Sequence, residues 1–198
     1  MRGRFRITDP ACLEVLRALS DVFGEDDIGF AVAGGMGVQA LIAAAGLDHL
    51  LRATGDIDLV VSADDVRIVR ALNQLAADRP ELTVVQNPAA KNARVGALNV
   101  DWINEPSRAR GIEQAWAHSV ENARVVRVRK LDIPVQEPEV LLAAKLTGQK
   151  VRPQDQLDLA AVVSCRVPVD LNRLRELVAA RPGRFELFEE IRMRVAEE

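Results

Sequence analysis

From residue 28 through 47 the chain carries no charged side chain, yet Gly34, Gly35 and Gly37 interrupt the first half of that run. An uncharged stretch of this length is enough to cross a bilayer, so it constrains the fold more than any other segment. Its small residues and glycines fit a continuous membrane helix poorly. They fit a buried strand, a glycine turn and a buried helix. Just beyond lies Thr54-Gly55-Asp56-Ile57-Asp58-Leu59-Val60-Val61. Positions i and i+2 of a strand share a face, so Asp56 and Asp58 can grip one cation while Ile57, Leu59 and Val61 anchor the other face.

Composition narrows the class. With 198 residues, 48% of them hydrophobic and 28% charged, the chain can bury a substantial core and is expected to be globular. Its net charge of −3 gives no global attraction to nucleic acid or to an anionic membrane, so any polyanion must meet a local patch. Cys12 and Cys165 show neither metal spacing nor a disulfide framework, which fits a reducing cytoplasm. The basic start Met1-Arg2-Gly3-Arg4 is not followed by an apolar run and is not read as a signal peptide.

Thr8-Asp9-Pro10 predicts a helix start, with Leu13, Leu16, Leu19 and Phe23 on its buried face and Gly24 at its end. Strands are expected at 30–33, 57–61, 82–85 and 93–103, and a β-rich segment at 125–135. Helices are expected through Ala45, after Ser62-Ala63-Asp64-Asp65, at 108–118, and then at 138–147, 153–163, 171–180 and 185–196. The fold class is therefore α/β (α+β), with a mixed amino-terminal part over 1–135 and a helical carboxy-terminal part over 136–198.

Several residues carry chemistry. A strand-to-helix turn at Gly34-Gly35 lets backbone approach a phosphate, and the helix that follows directs unpaired N–H groups at it. A cation bridging triphosphate oxygens needs hard oxygen ligands, which Asp56 and Asp58 supply. Asp101 interrupts the strand-like Leu98-Asn99-Val100-Asp101-Trp102-Ile103 and could bring a third carboxylate, as a ligand or as a base for an attacking hydroxyl. Lys145 follows Leu141 and Leu142 by four and three positions, beside an apolar face where a partner is expected. Asp158 sits among Leu157, Leu159, Ala160 and Ala161. Asp155 lies in the first turn after Pro153, where an acid also complements a helix dipole. Arg124, Arg127, Arg129 and Lys130 alternate along the β-rich segment, as a solvated face or a polyanion-binding stripe. His49 and His118 stand alone.

The run AVAGGMGVQALIAAAGLDHLLRATGDIDLVVS resembles the nucleotidyltransferase fold of the DNA polymerase β-like superfamily. That signature is an apolar strand, a glycine pair, a helix, an acidic D-x-D flanked by apolar residues, and a third acid on a later strand. The lead-in Arg52-Ala53-Thr54-Gly55 is similar to the Arg-x-Thr segment of AbiEii-type toxin nucleotidyltransferases and of small antibiotic-modifying nucleotidyltransferases. EPEVLLAAKLTGQKVRPQDQLDLAAVV resembles the later toxin motifs.

The resemblance implies a mixed β-sheet flanked by helices, and a magnesium- or manganese-dependent transfer of a nucleoside monophosphate from a nucleoside triphosphate to a hydroxyl. Asp56, Asp58 and Asp101 would hold the metal. Gly34, Gly35, Arg52, Thr54, Lys145, Asp155 and Asp158 would form the nucleotide site. RNA, such as a tRNA end, is the implied acceptor, with an antitoxin-like protein as partner in the cytoplasm and no membrane association. A small hydroxylated molecule of the aminoglycoside kind is the alternative acceptor.

One departure from the toxin pattern is Met36, where a hydroxyl residue usually follows the glycine pair. It makes an inactive nucleotide-binding module of the same fold a further alternative. Gly35-Met36-Gly37-Val38-Gln39-Ala40 also satisfies the dinucleotide-binding pattern G-x-G-x-x-A. In such a unit, however, the ribose-binding acid ends the second strand, whereas Asp56 and Asp58 begin theirs.

Overall fold

The computed structural model describes residues 3–104 and 118–197. Helix α1 (Pro10–Glu25) precedes β1 (Phe30–Ala33), which runs directly into α2 (Gly34–Ala44). The uncharged stretch is thus divided between a strand and a helix. Among the described residues no helix is long and apolar enough to cross a membrane.

Strand β2 (Asp56–Val61), α3 (Asp65–Asp78), β3 (Val84–Asn87), β4 (Asn92–Val95) and β5 (Leu98–Ile103) follow. Then come β6 (Arg124–Val128), β7 (Leu131–Val135) and the helices α4 (Pro138–Leu146), α5 (Pro153–Ser164), α6 (Leu171–Val178) and α7 (Arg184–Glu197).

The seven strands form one mixed sheet in the order β3-β4-β5-β2-β1-β7-β6. Strand β2 lies at its centre, antiparallel to β1 and parallel to β5. That antiparallel β1–β2 pairing removes the dinucleotide-binding alternative, because such a unit joins two parallel strands through its helix.

The single strand expected over 93–103 is a hairpin instead. Val95 pairs with Leu98, and Gly96 turns the chain with φ +58°. This is a tight two-residue connection of the kind that requires positive φ, and an apolar run on both sides conceals it in the sequence. The segment 125–135 is likewise a hairpin, turning between Val128 and Leu131. The strand expected at 82–85 is shifted to Val84–Asn87. The helix expected over 108–118 lies, apart from His118, outside the described residues.

Helix α2 is buried along most of its length and packs on β1, β2, β6 and β7 as well as on α4 and α5. Helices α1 and α3 pack together, and α7 contacts α4, α5 and α6. One continuous apolar core includes Leu19, Ile57, Leu59, Leu72, Leu142, Leu159 and Phe188, so residues from both ends of the chain share it. Cys12 is fully buried and Cys165 partly so, and neither is in a disulfide.

The apolar side of β2 is what fixes the orientation of its acidic side. Leu59 is fully buried, and truncating it leaves a cavity against a close-packed core. The substitution Leu59→Ala is expected to lower unfolding free energy by about 2–5 kcal/mol in urea titrations followed by circular dichroism.

Candidate active site

Parallel pairing places Asp58 directly beside Asp101 in the β2–β5 ladder, with Asp56 two residues earlier on the same strand. Side chains at i and i+2, and those in register on a neighbouring strand, project from the same face. Asp56, Asp58 and Asp101 each offer a carboxylate oxygen, and these atoms lie within 4.8 Å of one another. All three are half-buried. Hard, anionic oxygens at this separation suit a small divalent cation such as magnesium, which takes one or more carboxylates and completes its shell with water or phosphate. The Thr54 hydroxyl donates to Asp56 Oδ1 at 3.0 Å and orients that carboxylate.

The glycine pair faces this cluster. Gly34 has φ +57°, and a Cβ built on it would stand 1.8 Å from Asp58 Oδ2. The missing side chain therefore makes room for a carboxylate of the acidic cluster as well as for an anion at the start of α2. A Cβ on Gly35 would stand 2.9 Å from the Arg52 Nη2 atom. Met36 is fully buried, with its sulfur 3.8 Å from Cys12 Sγ. The position after the glycine pair points into the core, so a methionine there takes nothing away from the cavity wall. Burial also pushes the Cys12 thiol up to about 12, with the Asp9 charge adding to the shift, and keeps it an inert core group.

The rest of the wall is an ion-pair network built on the buried Asp155 and Asp158 of α5, with cations from the loop before β2, from α4 and from the residue that precedes α5. Arg52 forms a fork on Asp158, Nε to Oδ1 at 2.6 Å and Nη2 to Oδ2 at 2.7 Å. Lys145 Nζ sits 2.8 Å from Asp158 Oδ2 and 3.5 Å from Asp155 Oδ1. Arg152 binds Asp155 through Nε at 2.7 Å and Nη2 at 3.0 Å, and its own backbone N–H donates to the same carboxylate at 3.3 Å. With its amide oxygen turned inward, Gln154 accepts from Arg52 Nη1 at 2.6 Å.

The hydrogen bond to Asp158 raises the Arg52 pKa above its ordinary value against the opposing effect of burial. Burial pushes the Asp155 carboxyl up, but hydrogen bonds from Arg152 and the nearby Lys145 charge outweigh it and hold the group below the usual carboxylate range.

Between these walls lies an open cavity of about 770 Å³. Gly34, Gly35, Arg52, Thr54, Asp56, Asp58, Lys145 and Asp155 line it, and Asp158 is buried behind them. The residues expected at the metal and nucleotide sites therefore lie in the cavity wall, pair with a residue of that wall, or join the acidic cluster. Arg4, Lys150, Arg152 and Gln154 also line it and were not singled out. Arg152 was findable, since it precedes Asp155 by three positions at a helix start, the spacing of a capping pair. The basic stripe on the β6–β7 hairpin is partly neutralised, because Arg127 pairs with Asp132 at 2.7 Å and Arg129 with Asp48 at 3.3 Å.

Neither a protein-family model nor a curated protein sequence matches the chain. Solved structures do. An antigenic nucleotidyltransferase-like protein from Paracoccidioides brasiliensis superposes with a TM-score of 0.57 at 17% identity, covering 94% of this chain and 95% of that one. The antibiotic-resistance factor ANT(2'')-Ia superposes with a TM-score of 0.55 at 14% identity, covering 94% and 99%. The chain has a nucleotidyltransferase-like fold. At these identities the likeness speaks for the fold alone.

Two outcomes follow from the geometry. Gly34→Ala forces a Cβ into the Asp58 carboxylate and strains a left-handed residue, so manganese affinity measured by calorimetry is expected to fall by at least roughly 10-fold. Asp158→Ala strands Arg52 and Lys145 without their shared acceptor, and is expected to cost about 3–5 kcal/mol in chemical denaturation.

Proposed function

We propose that this protein is a magnesium- or manganese-dependent nucleotidyltransferase that moves a nucleoside monophosphate from a nucleoside triphosphate to a hydroxyl acceptor. The observation that carries this reading is the convergence of Asp56, Asp58 and Asp101 beside the glycine turn, on a fold shared with nucleotidyltransferases.

Asp56, Asp58 and Asp101 would hold the metal, which when bound neutralises charge on the triphosphate. Backbone N–H groups at Gly34-Gly35 and the start of α2 receive a phosphate, and Arg52, Thr54 and Lys145 set the wall against which the nucleotide lies. The acceptor oxygen forms a bond to the α-phosphorus as the bond from that phosphorus to the bridging oxygen breaks. Pyrophosphate leaves, and the acceptor proton passes to Asp101 or to solvent. Most of the rate comes from positioning and charge complementarity. Residues 1–135 form the catalytic part in this reading, and residues 136–198 the helical part that supplies Lys145, Asp155 and Asp158.

For the acceptor, the resemblance to AbiEii-type toxins favours RNA, such as a tRNA end, with an antitoxin-like protein as partner in a reducing cytoplasm. A small hydroxylated acceptor of the aminoglycoside kind is the second reading. It is favoured by the fold likeness to an antibiotic-resistance factor and by a cavity of about 770 Å³, a volume typical of small-molecule sites.

The test is incubation with α-phosphate-labelled nucleoside triphosphates, magnesium, and either total RNA or an aminoglycoside panel. Label is expected on one acceptor class, with Asp58→Asn retaining less than about 1% of the transfer. Transfer that is equally fast in Asp58→Asn contradicts the assignment. Nucleotide binding without transfer to any acceptor leaves the fold as an inactive binding module.

A further inference from the structure

Five cations line the cavity: Arg4, Arg52, Lys145, Lys150 and Arg152. Three of them share two carboxylates, since Arg52 and Lys145 converge on Asp158 while Lys145 and Arg152 converge on Asp155. Their charge is largely spent within the wall. Arg4 and Lys150 differ. Among the described residues neither has a hydrogen-bond or ion-pair partner, and both side chains belong to exposed residues at the mouth of the cavity.

Arg4 is held there by construction. Its neighbour Phe5 exchanges two backbone hydrogen bonds with Thr54, Phe5 N to Thr54 O at 2.7 Å and Thr54 N to Phe5 O at 2.9 Å. Two residues further on, the fully buried Ile7 donates its N–H to the Gln39 side chain on α2 at 3.0 Å. Residues 4–7 are therefore stitched to the segment that leads into β2 and to the helix that follows the glycine turn. The same Thr54 orients Asp56, so the backbone bridge couples the placement of Arg4 to that of the acidic cluster.

We propose that Arg4 and Lys150 recognise the terminal phosphates of a polyphosphate chain and so make this cavity select triphosphates over monophosphates. The inference rests on the nucleotide reading above and deepens it. The acidic cluster with a divalent ion accounts for charge at the reacting phosphate. A triphosphate still brings further negative charge, and the two cations not already matched to carboxylates are the groups able to meet it. An arginine offers a planar fork that matches phosphate geometry, and a lysine offers a compact charge. Both are separate from the hydroxyl position that Met36 occupies.

The test uses the full chain with magnesium and inorganic tripolyphosphate, a probe independent of the nucleobase, with orthophosphate as the short-chain control. In calorimetric titrations the double variant Arg4→Gln/Lys150→Gln is expected to bind tripolyphosphate roughly 10- to 100-fold more weakly, with orthophosphate binding unchanged. Arg4→Lys with native Lys150 is expected to keep most of the affinity. The melting temperature should be unaltered, because both residues are exposed and, among the described residues, unpaired.

Equal tripolyphosphate affinity in wild type and double variant overturns the inference, and leaves the nucleotide reading intact if wild type binds any of the four ribonucleoside triphosphates. Failure of wild type to bind those triphosphates or tripolyphosphate overturns both. Unchanged tripolyphosphate affinity together with weakened tRNA binding also overturns the inference, and moves these cations to the acceptor side.

Discussion

The site depends on a parallel strand pairing. Among the possible registers of β2 against β5, only the observed one sets Asp58 beside Asp101. A slip of one residue would turn Asp56 and Asp58 toward the core if β2 moved, or Asp101 if β5 moved. Ile57, Leu59 and Val100 on the buried faces make such a shift costly. Hydrophobic patterning on one face thus does positional work for acidic chemistry on the other.

Like charges held close repel one another, and the cluster is organised around that cost. Half-burial lets solvent screen the carboxylates, the Thr54 hydroxyl satisfies one Asp56 oxygen, and a divalent ion would convert the repulsion into ligation. In the ion-pair network the balance is reversed. Arg52 before β2, Lys145 of α4 and Arg152 before α5 bring three cations to Asp155 and Asp158, two buried aspartates of α5 that pair with all of them. Asp158 shows the principle most clearly. It accepts a forked guanidinium and an ammonium at once, so two basic side chains from distant parts of the sequence are fixed by one anion.

Much of this was legible in the residues. The period-two alternation of Asp56-Ile57-Asp58-Leu59 announced a strand with one acidic and one apolar face. The glycine pair after an apolar run announced a strand-to-helix turn, and Lys145 beside Leu141 and Leu142 announced a charge with a partner. What could not be read were contacts that depend on tertiary register. Nothing local to Arg4 distinguishes it from any exposed basic residue, since its place follows from a backbone bridge between Phe5 and Thr54. The turn at Gly96 was concealed because the residues on either side are equally apolar, and a two-residue hairpin leaves little polar signal. The sequence around Gly34 points to access for a phosphate, whereas its missing side chain also yields space to Asp58. Local pattern specified the elements, and strand order decided which of them share a site.

The most direct test of the central claim is a crystal of the full chain soaked in manganese and measured at a wavelength where the metal scatters anomalously. An anomalous peak is expected with oxygens of Asp56, Asp58 and Asp101 at about 2.1 Å, the range of a magnesium-type site. A fully occupied manganese bound elsewhere in the cavity, with these three carboxylates left uncoordinated, would contradict that claim.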